Sequence, residues 1–157
     1  MKDTTIHILL VEDDQVDAMI VRRNLNKCLD ATYVLHHANS LTQAAESLNH
    51  SHFDIVLLDL ELPESTGRNT LSQFRNLCPR DLPVIVLTGL DDLKTGLELV
   101  QEGAQDYLLK DEVTPRSLSR AINHAVQRQR HLHRIRELLS EVKESHELLE
   151  RKNKKLG

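Results

Sequence analysis

The fold of this chain is decided by four short apolar runs that each end in a polar residue: HILLVED (7–13), FDIVLLD (53–59), VIVLT (84–88) and YLLK (107–110). Runs of this length, rich in Ile, Val and Leu and separated by helical stretches, are typical of buried parallel strands. In an open α/β sheet, ligands bind at the carboxyl ends of the strands. The pattern therefore predicts one site that combines carboxylates, a hydroxyl group and an ammonium group.

The predicted strands alternate with helices in five strand–helix units. We expect the strands at about residues 6–11, 32–37, 53–59, 84–87 and 106–109. The helices are expected at about 15–28, at 41–49, from the 63–67 loop to about 77, from the 89–92 turn to 103, and from 115 onward. This order predicts an α/β fold, a doubly wound parallel sheet with helices on both faces.

Local signals set the expected ends of the helices. The first helix is predicted from the helical spacing of four residues: Val16, Met19, Ile20 and Cys28. Asp14 and Ser40 are expected to cap the first two helices, because their side-chain oxygens can accept hydrogen bonds from free backbone N–H groups. Gly103 is a candidate C-cap for the fourth helix. Thr114 and Pro115 mark the start of the last one.

Composition limits the classes of protein to consider. At 157 residues the chain suits one domain plus an appendage. Its net charge of −4 gives no general affinity for nucleic acid, so we expect no direct nucleic-acid partner. The two cysteines, Cys28 and Cys78, are too few for a disulfide framework. Since no signal peptide or long apolar span is present, we expect a cytoplasmic protein that does not enter a membrane.

The last helix continues past the end of the expected domain, which suggests a domain at 5–127 and a helical segment at 128–157. In that segment, seam positions recur at alternating spacings of three and four residues: Leu132, Ile135, Leu139, Val142, His146, Leu149, Asn153 and Leu156. This is the heptad pattern of a coiled coil, and an Asn at an a position favours pairing. We expect a homodimer through this helix. The alternative is a long amphipathic helix packed back on its own domain.

The polar strand ends suggest a specific chemistry. The converging carboxylates of Glu12, Asp13 and Asp59 would repel one another without a cation, and oxygen donors suit Mg²⁺. Asp59 is then a candidate nucleophile for phosphoryl transfer. Thr88 and Lys110 can bind the phosphoryl oxygens. Gly89 leaves room for that group beside the hydroxyl of Thr88.

These segments resemble the receiver domain of bacterial two-component response regulators, in the motifs ILLVEDD, DIVLLDLELPESTG, VIVLTG and AQDYLLK. The resemblance covers residues 5–127. It implies a flavodoxin-like (βα)5 fold with strand order 2-1-3-4-5 and an extended C-terminal helix. It also implies that Asp59 accepts phosphate from a histidine kinase or a histidine phosphotransfer protein.

The resemblance assigns further roles within the site. Glu12 and Asp13 match the acidic pair, with Asp13 the more direct Mg²⁺ ligand, and the backbone carbonyl of Glu61 completes the protein ligands. Thr88 and Lys110 match the switch hydroxyl and the lysine, and Tyr107 matches the switch aromatic. One position departs from the pattern: where many receivers have Pro after the lysine, this chain has Asp111. We therefore expect a different path for the loop that follows strand five.

The sequence thus predicts a phospho-accepting switch that is not itself an enzyme. Phosphorylation would reshape the face formed by helix four, strand five and helix five, and the output domain would lie outside this chain. One alternative is a haloacid-dehalogenase-like phosphatase with Asp59 as nucleophile and Glu61 as the second acid, although the surroundings of Glu61 do not resemble that motif. Another is an interaction module that works without phosphate. The nine histidines are interpreted as scattered surface residues.

Overall fold

The structure is a computed structural model that describes residues 4–78 and 81–156, with side chains up to residue 153. Its strands are β1 (Thr5–Val11), β2 (Thr32–Ala38), β3 (Ile55–Asp59), β4 (Glu61–Leu62), β5 (Ser65–Thr66), β6 (Val84–Thr88) and β7 (Asp106–Leu109). Its helices are α1 (Gln15–Asn26), α2 (Leu41–His50), α3 (Arg68–Leu77), α4 (Leu93–Gln101) and α5 (Pro115–Leu156). Single turns of 3-10 helix cover Leu90–Asp92 and Lys110–Glu112.

Five of the strands form one parallel sheet in the order β2-β1-β3-β6-β7. Because β4 and β5 form a separate small hairpin, β6 and β7 are the predicted fourth and fifth strands. The predicted order 2-1-3-4-5 and the α/β fold are therefore confirmed. Every residue of β3 and β6 is buried, as expected for central strands covered on both faces.

Helices cover both faces of the sheet. On one face the core includes side chains from α1 and from the first part of α5, such as Val21, Leu118 and Ile122. On the other face it includes side chains from α2, α3 and α4, such as Phe74 and Leu99. This arrangement leaves the carboxyl ends of the strands uncovered by core packing, and the polar residues lie there.

The predicted helix ends are confirmed. The Asp14 side chain accepts hydrogen bonds from the backbone N–H groups of Val16 and Asp17, and Ser40 accepts one from Gln43. Gly103 follows α4 with a φ of 126°, a left-handed conformation that favours glycine. Pro115 is the first residue of α5.

Two features differ from the expectations. The residues that predicted α1 do not form its buried face: Val16, Met19 and Ile20 are 64%, 57% and 39% exposed, and Cys28 follows the helix. The buried face consists of Ala18, Val21 and Leu25. The stretch at 63–67, predicted as a loop, contains the turn and the second strand of the β4–β5 hairpin.

By backbone packing the chain divides into two units, with the boundary between Val126 and Gln127. In the second unit, several large apolar side chains are exposed, among them Ile135, Leu139, Val142 and Leu149. The side chain of Leu156, the last predicted seam residue, lies outside the described part of the chain. None of the helices in the described residues combines the length and the apolar character that crossing a membrane requires.

Candidate functional site

The strand ends bring the predicted polar residues together. Asp59 and Thr88 are the last residues of β3 and β6, and Glu12 follows β1 directly. These three residues are each only 1% exposed. Lys110 follows β7, and its side chain is 21% exposed. Burial of this many polar groups is costly unless they are paired, so the cluster needs a structural or chemical explanation.

The acidic cluster has the donors of a cation site. Glu12, Asp13 and Asp59 each offer a carboxylate oxygen, and these oxygens lie within 4.8 Å of one another. Glu12 Oε2 and Asp59 Oδ2 are buried, and although the Lys110 ammonium lies beside both, neither accepts a well-aligned hydrogen bond from the described residues. Buried carboxylate oxygens that share one ammonium group, next to an exposed third carboxylate, suit a hard, partly hydrated divalent cation. The residues therefore fit Mg²⁺.

Lys110 is surrounded by carboxylates. Its Nζ lies 3.0 Å from Asp59 Oδ2 and 3.2 Å from both Glu12 Oε2 and Asp17 Oδ2. Burial alone lowers the pKa of Lys110, but the carboxylates of Asp59 and Glu12 outweigh it and raise that pKa above its ordinary value. Lys110 is therefore a permanent positive charge beside Asp59.

Two hydrogen bonds hold Glu12 in place, one to its side chain and one to its backbone oxygen. Its Oε1 accepts a hydrogen bond of 3.1 Å from the N–H of Asp14. The ring Nε2 of His37, at the end of β2, lies 2.6 Å from the backbone oxygen of Glu12 and must donate to it. Burial, followed by the carboxylate of Asp59, raises the pKa of Glu12 to about 8. Without a bound cation, the pocket therefore favours the protonated form of Glu12.

The hairpin after β3 fixes the other side of Asp59. Asp59 Oδ1 accepts a hydrogen bond of 3.1 Å from the backbone N–H of Glu61. The buried Thr70 hydroxyl donates to the oxygen of Leu60 at 2.9 Å and accepts from Ser65. These bonds hold the segment that follows Asp59 against α3. The Glu61 side chain is exposed. Partial desolvation, followed by the nearby Asp92 carboxylate, raises the pKa of Glu61.

The predicted switch residues share a tight contact with α4. The Thr88 hydroxyl is buried and has no hydrogen-bond partner among the described residues. A β-carbon on Gly96 would lie 3.0 Å from Thr88 Cγ2 and 3.6 Å from Tyr107 Cβ. Gly96 therefore lets α4 approach Thr88 closely, whereas the distance to Tyr107 is that of an ordinary van der Waals contact. Gly89, in contrast, faces open space, because a β-carbon there would meet no atom within 4 Å.

Three residues at the site were not predicted from the sequence. Asp17 lies on the first turn of α1, but Asp13 precedes that helix, so helical spacing from Asp13 could not have placed it at the pocket. His37 was interpreted as a surface histidine, but it is half-buried and contacts Glu12. No local signal could have identified Gly96, since its role depends on packing against distant residues.

Comparison with known sequences identifies the family. Residues 8–123 match the response regulator receiver domain. This chain belongs to that family. It is 36% identical to the alginate biosynthesis transcriptional regulatory protein AlgB of Pseudomonas putida over 110 residues, 69% of this chain and 23% of AlgB. It is 34% identical to the transcriptional regulatory protein ZraR of Escherichia coli over 110 residues, 70% of this chain and 24% of ZraR.

The fold comparison agrees with the family. A response regulator receiver domain protein from Clostridium thermocellum superposes with a TM-score of 0.68 at 28% identity, covering 81% of this chain and 98% of that one. The match to AlgB and ZraR spans only about a quarter of their length. The family assignment, and the predicted resemblance to receiver domains, are thus confirmed for the first unit of the chain.

Proposed function

We propose that this chain is a phospho-accepting signal receiver in which Asp59 takes a phosphoryl group from a phosphohistidine. The main support for the proposal is the environment of the Asp59 carboxylate. Asp59 is 1% exposed, its Oδ2 pairs with the Lys110 ammonium at 3.0 Å, and its Oδ1 accepts a hydrogen bond from the backbone N–H of Glu61. A buried carboxylate held in a fixed position beside a cation is suited to act as a nucleophile.

Phosphoryl transfer to Asp59 exchanges one bond to phosphorus for another. An Asp59 oxygen attacks the phosphorus of the phosphohistidine, a new O–P bond forms and the N–P bond breaks. The imidazole nitrogen of the donor keeps the bonding electron pair and takes up a proton from solvent. Lys110 pairs with the phosphoryl oxygens, and the Thr88 hydroxyl donates to one of them. Both groups stabilise charge that moves onto the transferred phosphoryl group.

A divalent cation completes the site. Asp13, Asp59 and the deprotonated form of Glu12 would hold Mg²⁺, together with the backbone carbonyl of Glu61. When bound, the ion supplies charge neutralisation for the carboxylates and for the phosphoryl oxygens. The three carboxylates that lie within 4.8 Å of one another support this assignment.

Phosphorylation is proposed to act through Thr88 and Tyr107. The orphaned Thr88 hydroxyl would turn toward the phosphoryl group, and its methyl group would leave the contact with Gly96. The half-buried Tyr107 lies against the same glycine and would follow. The change would then reach the surface formed by α4, β7 and the first part of α5.

The exposed apolar side of α1 is proposed to receive the phosphodonor. Ile20 lines a small cavity together with Glu12, Asp17 and Lys110, so this side borders the pocket. Val16 and Met19 lie on it and are more than half exposed. A histidine-bearing helix of a cytoplasmic histidine kinase or phosphotransfer protein would cover these side chains while its phosphohistidine faces Asp59. Met19→Glu should slow transfer from such a protein but not from phosphoramidate, whereas Leu29→Glu should slow neither.

The second unit is proposed to be a dimerisation helix. On its described part, the seam residues Ile135, Leu139, Val142 and Leu149 are 51–65% exposed. Such a row of apolar side chains at heptad spacing is suited to pairing with the same row of a second copy. In this proposal the chain is a homodimer without enzymatic output of its own.

One experiment separates the receiver from its two alternatives. The chain is incubated with phosphoramidate and Mg²⁺, and its intact mass is followed together with phosphate release. A receiver gains a single persistent phosphate that Asp59→Asn abolishes. Rapid multiple turnover of phosphate esters would indicate the haloacid-dehalogenase-like phosphatase instead. No mass change under any condition would indicate an interaction module that works without phosphate, and would contradict the proposal.

A further inference from the structure

The Lys110 ammonium has a third carboxylate partner that lies outside the proposed chemistry. Asp17, on the first turn of α1, places its Oδ2 3.2 Å from Nζ. Among the three carboxylate contacts of Lys110, this one has hydrogen-bond geometry. Asp59 Oδ2 at 3.0 Å and Glu12 Oε2 at 3.2 Å also pair with the ammonium, but the angles of these two contacts are less favourable for a hydrogen bond.

We propose that Asp17 is a positioning residue that anchors Lys110 during phosphorylation. The inference rests on the proposed role of Asp59 as phosphoacceptor. In that reaction Asp59 becomes an acyl phosphate and Glu12 faces the cation, so neither can hold the ammonium in one place throughout. Asp17 takes no part in either step. Its side chain is 36% exposed and contacts neither the cation nor the phosphoryl group in the proposed reaction, so it is available to the ammonium before and after transfer.

Two physical effects make this anchor useful. A lysine side chain has four rotatable bonds, and holding its ammonium at one point in advance removes an entropy cost from the transfer step. The ammonium also has only three N–H groups to distribute. When one N–H group of Lys110 is bonded to Asp17, fewer N–H groups are directed at Asp59. The Asp59 carboxylate is then less tightly paired, which makes it a better nucleophile. Both effects predict slower phosphorylation when Asp17 is removed.

The test uses the full chain and three variants. Asp17→Asn removes the charge while keeping the shape, and Asp17→Glu keeps the charge. Asp14→Asn is the matched control: it removes one charge from the start of the same helix, and Asn preserves its N-cap. Phosphoramidate is the donor, so that docking of a protein partner does not contribute to the rate. The second readout is the ¹⁵N resonance of Lys110 Nζ and the exchange rate of its protons.

Asp17→Asn should phosphorylate about two- to fivefold more slowly than the wild type, the effect of a partly exposed ion pair. Its Lys110 ammonium protons should exchange faster, and its Mg²⁺ affinity should stay within about twofold. Asp17→Glu should recover most of the rate, and Asp14→Asn should match the wild type. A merely structural role would change backbone resonances of α1 and leave the Nζ signal unaffected.

A rate for Asp17→Asn equal to or above that of Asp14→Asn would overturn the inference, provided that Asp59→Asn abolishes phosphorylation. In that case the phosphoacceptor role of Asp59 stands and only the anchoring role fails. If the wild-type chain takes up no phosphate, the proposed function itself is wrong, and the inference falls with it.

Discussion

The Glu12 carboxyl lies 3.2 Å from the ammonium of Lys110, yet its pKa is raised to about 8. Burial is the largest cause and the Asp59 carboxylate is the next, and together they outweigh the attraction of Lys110. One positive charge therefore does not neutralise the pocket. This imbalance makes the site sensitive to pH and to added cations, and the first predictions follow from it.

Mg²⁺ binding should strengthen as the pH rises from about 6.5 to about 9. The cation needs the deprotonated form of Glu12, whose pKa is about 8 in the metal-free pocket, so binding must release a proton. Calorimetric titrations in buffers of different ionisation enthalpy measure that proton release directly. In Glu12→Gln the pH dependence should disappear, and Asp13→Ala should lose most of the affinity at every pH. An affinity that is flat with pH in the wild type would contradict the role of Glu12.

Without Mg²⁺, the free energy of unfolding should fall as the pH rises from about 4.5 to about 8. The folded-state pKa of Glu12 lies above its ordinary value of 4.5, so in this range the folded chain binds a proton that the unfolded chain has lost. The stabilisation is complete below pH 4.5 and is lost as the pH passes 8. Urea unfolding of wild type and Glu12→Gln at several pH values isolates this contribution as the difference between their slopes.

Asp59→Asn should abolish phosphorylation and keep the chain folded. The substitution preserves the shape of a fully buried side chain and removes one negative charge from a crowded cluster. Because Asp59 is one cause of the raised pKa of Glu12, that pKa should fall toward its ordinary value in the variant. Intact mass checks the first outcome, and NMR titration of the Glu12 carboxyl carbon checks the second.

Gly96→Ala should lack the stabilisation that alanine usually gives in a helix. Replacing glycine by alanine in a helix interior normally adds about 0.5–1 kcal/mol. At Gly96 the new β-carbon would lie 3.0 Å from Thr88 Cγ2, so Thr88 or α4 must move. Gly89→Ala is the control for the stability measurement, because its β-carbon meets nothing within 4 Å. Urea midpoints compare the two, and a gain of the usual size at Gly96 would show that the contact carries no strain.

The sequence predicted the sheet and its polar edge because each signal was local. Every residue of β3 and β6 is buried, so each appears as an unbroken apolar run, and its last residue is the functional one. Two-residue strands such as β4 and β5 are too short to give a periodic pattern. The hairpin therefore could not be distinguished from a loop.

The missed contacts depend on residues that are distant in sequence. Asp17 and Lys110 are 93 residues apart, and nothing near either one indicates the pairing. For α1, apolar residues occur on two sides of the helix, and the bulkier Val16 and Met19 gave the stronger pattern. The buried side consists of Ala18, Val21 and Leu25, and its alanine contributes little to a hydrophobic pattern. A hydrophobic pattern thus predicted the helix but not its orientation.

The last prediction is that residues 128–157 pair as a parallel two-stranded coiled coil. Leu139→Glu places a charge on the seam and should make the chain monomeric. Leu148→Glu is the matched control: Leu148 is 53% exposed, close to the 63% of Leu139, but it lies off the seam. Light scattering at high concentration compares both variants with the wild type and with a chain ending at residue 127. A monomeric wild type, or equal loss in both variants, would contradict the pairing.

Asn153 determines whether the two paired helices run parallel or antiparallel. In a parallel pair it faces its own counterpart, so the two amides can hydrogen-bond to each other, whereas an antiparallel pair would set each against an apolar side chain. Asn153→Cys, in a chain with Cys28 and Cys78 changed to serine, should therefore form a disulfide between copies under mild oxidation. Ile135→Cys should also form this disulfide, because in a parallel pair each residue lies opposite the same residue of the other copy. If neither cross-links while a mixture of the two variants does, the helices run antiparallel, and the two receivers of a dimer lie at opposite ends.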